Sequence, residues 1–271
     1  MTSRKIRDHV FQQCRDHILA AVNDCEVADD PFPHFMIRGF FPEDVYADIL
    51  QRLPERRQYA GFSYSSGNPD AEGVRWRFDL SDQATEALDT DAREFWLGIR
   101  DALGCVALKE AVFGKLCRGL AYRYSVSDCQ AAALPGYPLP ALFREEVGYR
   151  IKPHPDTRKK MVTMQIALPA DDSQCDIGTQ FYRRSLNPRS LTREPRGFEV
   201  AKTAPFVPNA AYAFVVLNTL RCKSWHGRTT LAESHGVRNT ILNIWHEKPA
   251  HGHSDVVREH YSDAEFCKKA A

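Results

Sequence analysis

Val147-Gly148-Tyr149-Arg150-Ile151-Lys152-Pro153-His154-Pro155-Asp156-Thr157, followed by Met161-Val162-Thr163-Met164-Gln165-Ile166-Ala167-Leu168-Pro169, is the stretch on which the reading of this chain turns. Residues 147–151 and 161–168 are strand candidates, and Pro153 and Pro155 keep the backbone between them extended, since neither suits a helix interior. In extended backbone, residues two apart face the same way. His154 and Asp156 therefore offer an imidazole nitrogen and a carboxylate oxygen to one point, as two ligands of one metal ion. Alone the pair says little. In a chain with 10 histidines, roughly one His-x-Asp pair is expected by chance, and His253-Ser254-Asp255 is a second. That one lies in a polar tail, with no later histidine-bearing strand to complete a site.

The third ligand candidate is His226, in Lys223-Ser224-Trp225-His226-Gly227, within a strand candidate at 222–230. Two histidines and one carboxylate on one side of a metal leave positions for substrate and oxygen, the usual arrangement of non-haem iron(II) oxygenases. Arg238 follows across an expected hairpin at 231–236. It lies on a strand, 237–246, whose alternation puts Arg238, Thr240 and Leu242 on one face. A planar, permanently charged guanidinium suits the far carboxylate of a keto dicarboxylate that chelates the metal. Each residue also has a bland reading: a hydrogen-bonded surface pair for His154 and Asp156, a ring packed by Trp225 for His226, a salt-bridge partner for Arg238. Their joint occurrence, in this order and on strands, favours iron. Met161, Met164 and Trp245 read as core; His235, His246 and His251 have no partners at useful spacing and read as non-ligands.

Outside this region the first third reads as helical. Ile6, Val10, Cys14, Ile18 and Val22 recur at helical spacing. An extended segment at 34–37 follows, then a helix from about Pro42 that stops before Pro54. A Ser/Gly-rich loop at 61–73 leads to a helical region at 82–116, interrupted near Gly104. After Cys117 the pattern changes to short strand candidates at 121–126, 179–182 and 210–217, with a proline-rich loop at 131–143. Short strands with proline and glycine punctuation point to a sandwich or barrel rather than βαβ units. The expected plan is a mainly β fold with N-terminal helices, forming one structural domain. It has a helical layer at 1–116, a jelly-roll core at 117–249 and a tail at 250–271.

The chain has 271 residues, 43% hydrophobic and 26% charged, which excludes wholesale disorder. A net charge of +1, from 36 basic and 35 acidic residues, provides no overall field to gather nucleic acid. No apolar run approaches the roughly 20 residues of a membrane span. The polar start leads into no signal-like apolar region. None of the 8 cysteines forms a CxxC pair, so reduced thiols and a cytoplasmic setting are expected, and cysteine-held zinc is not.

Several segments together resemble the iron(II)/2-oxoglutarate-dependent oxygenase superfamily, in the style of its prolyl-4-hydroxylase-like branch. They are His154-Pro155-Asp156, the strand Met161 through Pro169, Gly178-Thr179, Ser224-Trp225-His226-Gly227 and Val237-Arg238-Asn239-Thr240. The likeness covers roughly residues 120–245; the N-terminal third shares only a loose helical layout. It implies a double-stranded β-helix (jelly roll, cupin-like) holding Fe(II) on His154, Asp156 and His226, with Arg238 on the far carboxylate of 2-oxoglutarate. The implied reaction uses O2, decarboxylates 2-oxoglutarate to succinate and oxidises a substrate C–H bond. Asp156 favours hydroxylation over halogenation, because halogenases of this superfamily replace that carboxylate with a small residue. Many relatives add a tyrosine near the His-x-Asp strand. Here Ala167 stands in that place, and Tyr122 or Tyr124 is the expected substitute. The loop at 182–196 carries Arg183 and Arg184, which either rim the mouth and draw an anionic substrate or belong to a solvated surface. The expected substrate is a small molecule or glycan-like metabolite. A peptide or protein side chain, or a non-catalytic cupin-like metal-binding role, are the alternatives.

Overall fold

The computed structural model describes residues 3–62 and 73–261. The chain begins with helix α1 (Ser3–Asp24), in which Val10, Cys14, Ile18 and Val22 form a buried stripe at helical spacing. Strands β1 (Val27–Ala28) and β2 (His34–Arg38), helix α2 (Glu43–Gln51) and strands β3 (Ala60–Gly61) and β4 (Arg75–Asp79) follow. Most of the expected loop at 61–73 lies outside the described residues. Next come α3 (Asp82–Thr85), α4 (Thr90–Gly104), α5 (Val106–Lys115), α6 (Cys117–Tyr124) and α7 (Asp128–Ala132). The remainder is β5 (Tyr137–Glu145), β6 (Ile151–His154), β7 (Lys160–Ala167), β8 (Thr179–Arg184), α8 (Pro188–Thr192), β9 (Phe198–Ala204), β10 (Ala210–Val215), β11 (His226–Arg228), β12 (Arg238–His246) and α9 (Ser254–His260).

Strands β5 to β12 distribute between two antiparallel sheets in the order of a double-stranded β-helix. The larger sheet runs β1-β2-β10-β7-β12-β5-β4-β3 and the smaller β6-β11-β8-β9. Apart from the β8–β9 hairpin, each connection along β5 to β12 therefore crosses from one sheet to the other, which is what winds the chain into a jelly roll. The sheets meet through aromatic side chains: Phe181 of β8 packs on Tyr212 and Phe214 of β10, with ring centroids 5.5 and 5.8 Å apart. On its other face the larger sheet is covered by helices. Asn243 of β12 donates to the carbonyl of Leu103 in α4 at 2.7 Å, and Trp245 meets Phe113 of α5. Both faces of β7 and β10 are thus buried, which accounts for their nearly unbroken apolar sequences.

Two expectations are corrected here. Residues 121–126, expected as a strand, belong largely to α6, which ends at Ser125 in the left-handed region (φ 55°). Tyr122, Arg123 and Tyr124 favour a strand locally, but the helix buries Leu120. It also sends the Arg123 guanidinium to the carbonyl of Val216 (2.6 Å) and to Glu247 (2.7 Å). Tertiary contacts override the propensity, and the jelly roll starts at β5 rather than at residue 117. Residues 137–143, expected within a loop, belong to β5 despite Pro138 and Pro140. Those prolines lie where β5 pairs with β12 alone, before β4 joins at Ala141. Both stand in the same phase, so the missing N–H groups fall on the unpaired side. Within the expected tail, residues 254–260 form α9, which buries Val256 against Gly104 of α4 and Val257 beside Gly252.

Candidate metal centre

Strand pairing brings the two distant histidines together: His226 of β11 lies directly opposite His154 of β6, with ring centroids 4.4 Å apart. Gly227 permits this approach. A Cβ there would stand 2.6 Å from the carbonyl oxygen of Ile151. In each histidine Nδ1 donates to the carbonyl two residues earlier, His154 to Lys152 at 3.0 Å and His226 to Ser224 at 2.9 Å. That hydrogen bond fixes the tautomer and leaves Nε2 with its lone pair. Asp156 stands just past β6, its backbone carbonyl held by Asn218 at 3.1 Å. One carboxylate oxygen accepts from Thr163 at 2.7 Å and lies 3.9 Å from Nε2 of His226; the other accepts from Lys160. One ligand atom each from His154, Asp156 and His226 lie within 4.8 Å of one another.

The electrostatics keep this trio in ligand form. Burial, with His154 alongside, pushes His226 down to about 4, and burial likewise lowers His154. For Asp156 burial alone would raise the carboxyl, but the Lys160 ammonium and both histidines outweigh it and hold it below the usual carboxylate range. Neutral imidazoles and an ionised carboxylate are the states a metal requires.

Arg238 lines the same cavity, together with Glu145, Arg75 and Arg228. Arg238, Glu145 and Arg75 are cross-strand neighbours on β12, β5 and β4, while Arg228 reaches over from β11 of the facing sheet. Glu145 accepts from Arg238 Nη1 at 2.7 Å and Arg228 Nη2 at 2.9 Å, and lies 3.2 Å from Arg75 Nε. Burial would raise the Glu145 carboxyl, but the three guanidiniums hold it below its ordinary value. Arg238 also donates to Gln165 at 3.4 Å and stacks 4.2 Å above the Phe206 ring. The hydroxyl in this corner belongs to Tyr212, which donates to Gln165 and lies 2.8 Å from Thr179 Oγ1.

Tyr122 and Tyr124, the expected suppliers of that hydroxyl, lie elsewhere. They line a separate cavity of about 800 Å³ that contains none of His154, Asp156, His226 or Arg238. Tyr124 donates to Glu247, and Tyr122 is half exposed. The helix that replaces the expected strand removed them from the barrel. Arg183 and Arg184 do not line the metal cavity either. Arg183 pairs with Asp30 on the surface, and Arg184 stacks against Phe198 and Trp225. Sequence reading gave no site role to Arg75, Glu145, Arg228, Gln165, Thr179 and Tyr212, although Gln165 and Thr179 stand in segments that carry the resemblance. For Arg228 a signal existed: it lies two residues after His226 on a strand and so shares its face.

Among the described residues a second group with ligand atoms at metal spacing is Asp101, Glu259 and His260. There Arg7 and Arg100 already occupy the carboxylates, Arg100 meeting Asp101 at 3.0 Å and Glu259 at 3.1 Å. It is an ion-pair network joining α1, α4 and α9.

No protein-family model and no curated protein matches the chain. Among solved structures it is similar to a prolyl-4-hydroxylase from Pseudomonas putida, at 13% identity and a TM-score of 0.49 over 85% of this chain and 99% of that one. It is also similar to the non-haem α-ketoglutarate-dependent epimerase SnoN of nogalamycin biosynthesis, at 11% identity and 0.45 over 86% and 82%. A third is EctD from S. alaskensis, solved with 2-oxoglutarate and 5-hydroxyectoine, at 11% and 0.44 over 84% and 74%. Likenesses this distant carry no weight by themselves; the strand order assigns this chain to the double-stranded β-helix fold.

Proposed function

We propose that the chain is an iron(II)- and 2-oxoglutarate-dependent oxygenase that hydroxylates a C–H bond of a small molecule or glycan-like metabolite. One observation carries the reading: a ligand atom from each of two histidines and a carboxylate converge in the same cavity as a guanidinium suited to a dicarboxylate. The donor set fits the metal, since imidazole suits iron and two histidines with one carboxylate on one face leave coordination positions open. Iron(II) with 2-oxoglutarate and O2 supplies the oxidising chemistry, removal of a hydrogen atom and delivery of oxygen to carbon.

The chain's own groups do the rest. The carbonyls of Lys152 and Ser224 aim the two rings, and Thr163 and Lys160 hold the Asp156 carboxylate ionised. Arg238, with Gln165 and Tyr212 behind it, takes the far carboxylate of the co-substrate as a bidentate partner. Asp156, His226 and Arg238 are at most 9% exposed, whereas His154 is only partly buried, so the ligand set is sunk below the surface with one histidine towards solvent.

Anaerobic titration of the protein with iron(II) and 2-oxoglutarate tests this reading. A visible charge-transfer band is expected in the wild type. It should be lost in His226→Ala and need a much higher 2-oxoglutarate concentration in Arg238→Ala. A folded, iron-loaded wild type without the band overturns the oxygenase reading in favour of a binding barrel.

A further inference from the structure

Three guanidiniums surround one carboxylate in this cavity, and Arg75, Arg228, Arg238 and Glu145 are each at most 4% exposed. On the reading above, which this inference deepens, 2-oxoglutarate adds one more negative charge, its far carboxylate on Arg238. Outside this count Lys160 balances Asp156 and iron(II) outweighs the near carboxylate of 2-oxoglutarate, so no negative excess lies there. Three positive charges then face two negative ones on almost fully buried side chains, and an uncompensated buried charge is strongly disfavoured. Among the described residues, open donors remain on two of the three: Nε of Arg238, the arginine assigned to 2-oxoglutarate, and Nη1 of Arg228, whose Nη2 is committed to Glu145.

We propose that the substrate is a small carboxylic acid whose carboxylate seats on Arg228. Arg228 follows His226 by two residues on β11 and shares its face, so its Cα lies roughly 7 Å along the strand from that of the ligand histidine. The oxidised carbon therefore lies within a few bonds of the anionic group, which defines the class as short acids rather than long chains bearing a distant charge. Arg75 remains with Glu145, and Glu145 keeps the two outer guanidiniums apart from mutual repulsion until both anions arrive.

The test uses the full chain in two forms, metal-free and anaerobic with iron(II) and saturating 2-oxoglutarate. The probes are short carboxylic acids, each paired with its primary amide. The acids, and not the amides, are expected to raise Tm in both forms and to perturb the charge-transfer band in the second. With 2-oxoglutarate on Arg238, Arg228→Gln should abolish the acid response and Arg228→Lys should keep part of it; in the metal-free form Arg228→Gln should weaken it, and both variants should bind 2-oxoglutarate within about twofold of wild type. Glu145→Gln, which removes the internal carboxylate, should strengthen the acid response. Amides matching acids would overturn the inference, as would an Arg228→Gln defect in 2-oxoglutarate binding equal to that of Arg238→Gln, which would assign both arginines to the co-substrate. Should Arg228→Gln not fold, an acid response unchanged in Arg228→Lys and Glu145→Gln would overturn it as well. A wild type without the band defeats the oxygenase reading alone, because the acid–amide contrast is still read in metal-free protein.

Discussion

Tyr212 shows how a single buried hydroxyl organises the corner around Arg238. It holds Gln165, whose side-chain oxygen in turn accepts from Arg238. Tyr212→Phe removes that hydrogen bond and leaves the ring packed on Phe181. Loss of a net hydrogen bond of about 1 kcal/mol is expected to raise the 2-oxoglutarate KM roughly five- to tenfold with kcat little changed, measured by succinate formation. The histidines set the acid limit of the metal-free protein. Burial pushes both His226 and His246 down to about 4, so each is held neutral in the fold while the unfolded chain protonates near 6.5. The unfolded state therefore binds more protons as pH falls from 6.5 to about 4. Stability is full above this window and lost through it, by up to roughly 3 kcal/mol for each ring. Tm measured in chelator should drop across that range, and His246→Gln should make the drop shallower. An equal slope in the variant would remove His246 from the account.

At the scale of elements, the site depends on how closely β6 and β11 approach. Gly227 has no side chain where a Cβ would meet the backbone of Ile151 and Lys152 at 2.6 to 3.1 Å. Backbone cannot yield as a flexible side chain does, so Gly227→Ala must move one strand, and these strands carry His154 and His226. Metal affinity is expected to fall by about tenfold or more, read from the iron(II) titration, with far-UV circular dichroism unchanged. Affinity retained at the wild-type level would show that the pairing tolerates the displacement. The strands bearing β-branched and apolar runs, β7, β10 and β12, were legible because burial on both faces writes itself into composition. Strand β5 and helix α6 were not. Prolines at 138 and 140 look like loop punctuation until β12 is seen on one side only, and the aromatic run at 122–124 looks like a strand until Leu120 and Arg123 find their partners.

The whole molecule is tied together by a network remote from the cavity. Arg100 of α4 is fully buried and joins Asp82, Asp101 and Glu259, linking α4 to α9 near the end of the described chain. Arg100→Met leaves Asp101 buried with Arg7 as its remaining guanidinium partner. Removing one member of a buried pair costs about 3 kcal/mol or more, so Tm should fall by roughly 10 °C. The iron and 2-oxoglutarate titrations should stay at wild-type values, because no residue of this network lines the cavity; a changed titration would show that the helical layer sets the site geometry. The sequence alone determined the order and spacing of His154, Asp156, His226 and Arg238, and the strand character around three of them. Alternation of side chains along extended backbone is a local property, and a single strand suffices to express it. The tertiary structure decided which groups gather around that set: Glu145 between three arginines, and Tyr212 rather than Tyr122 or Tyr124. Those contacts come from the register of strands far apart in the chain, and register is set by the packing of both sheets at once rather than by any one segment.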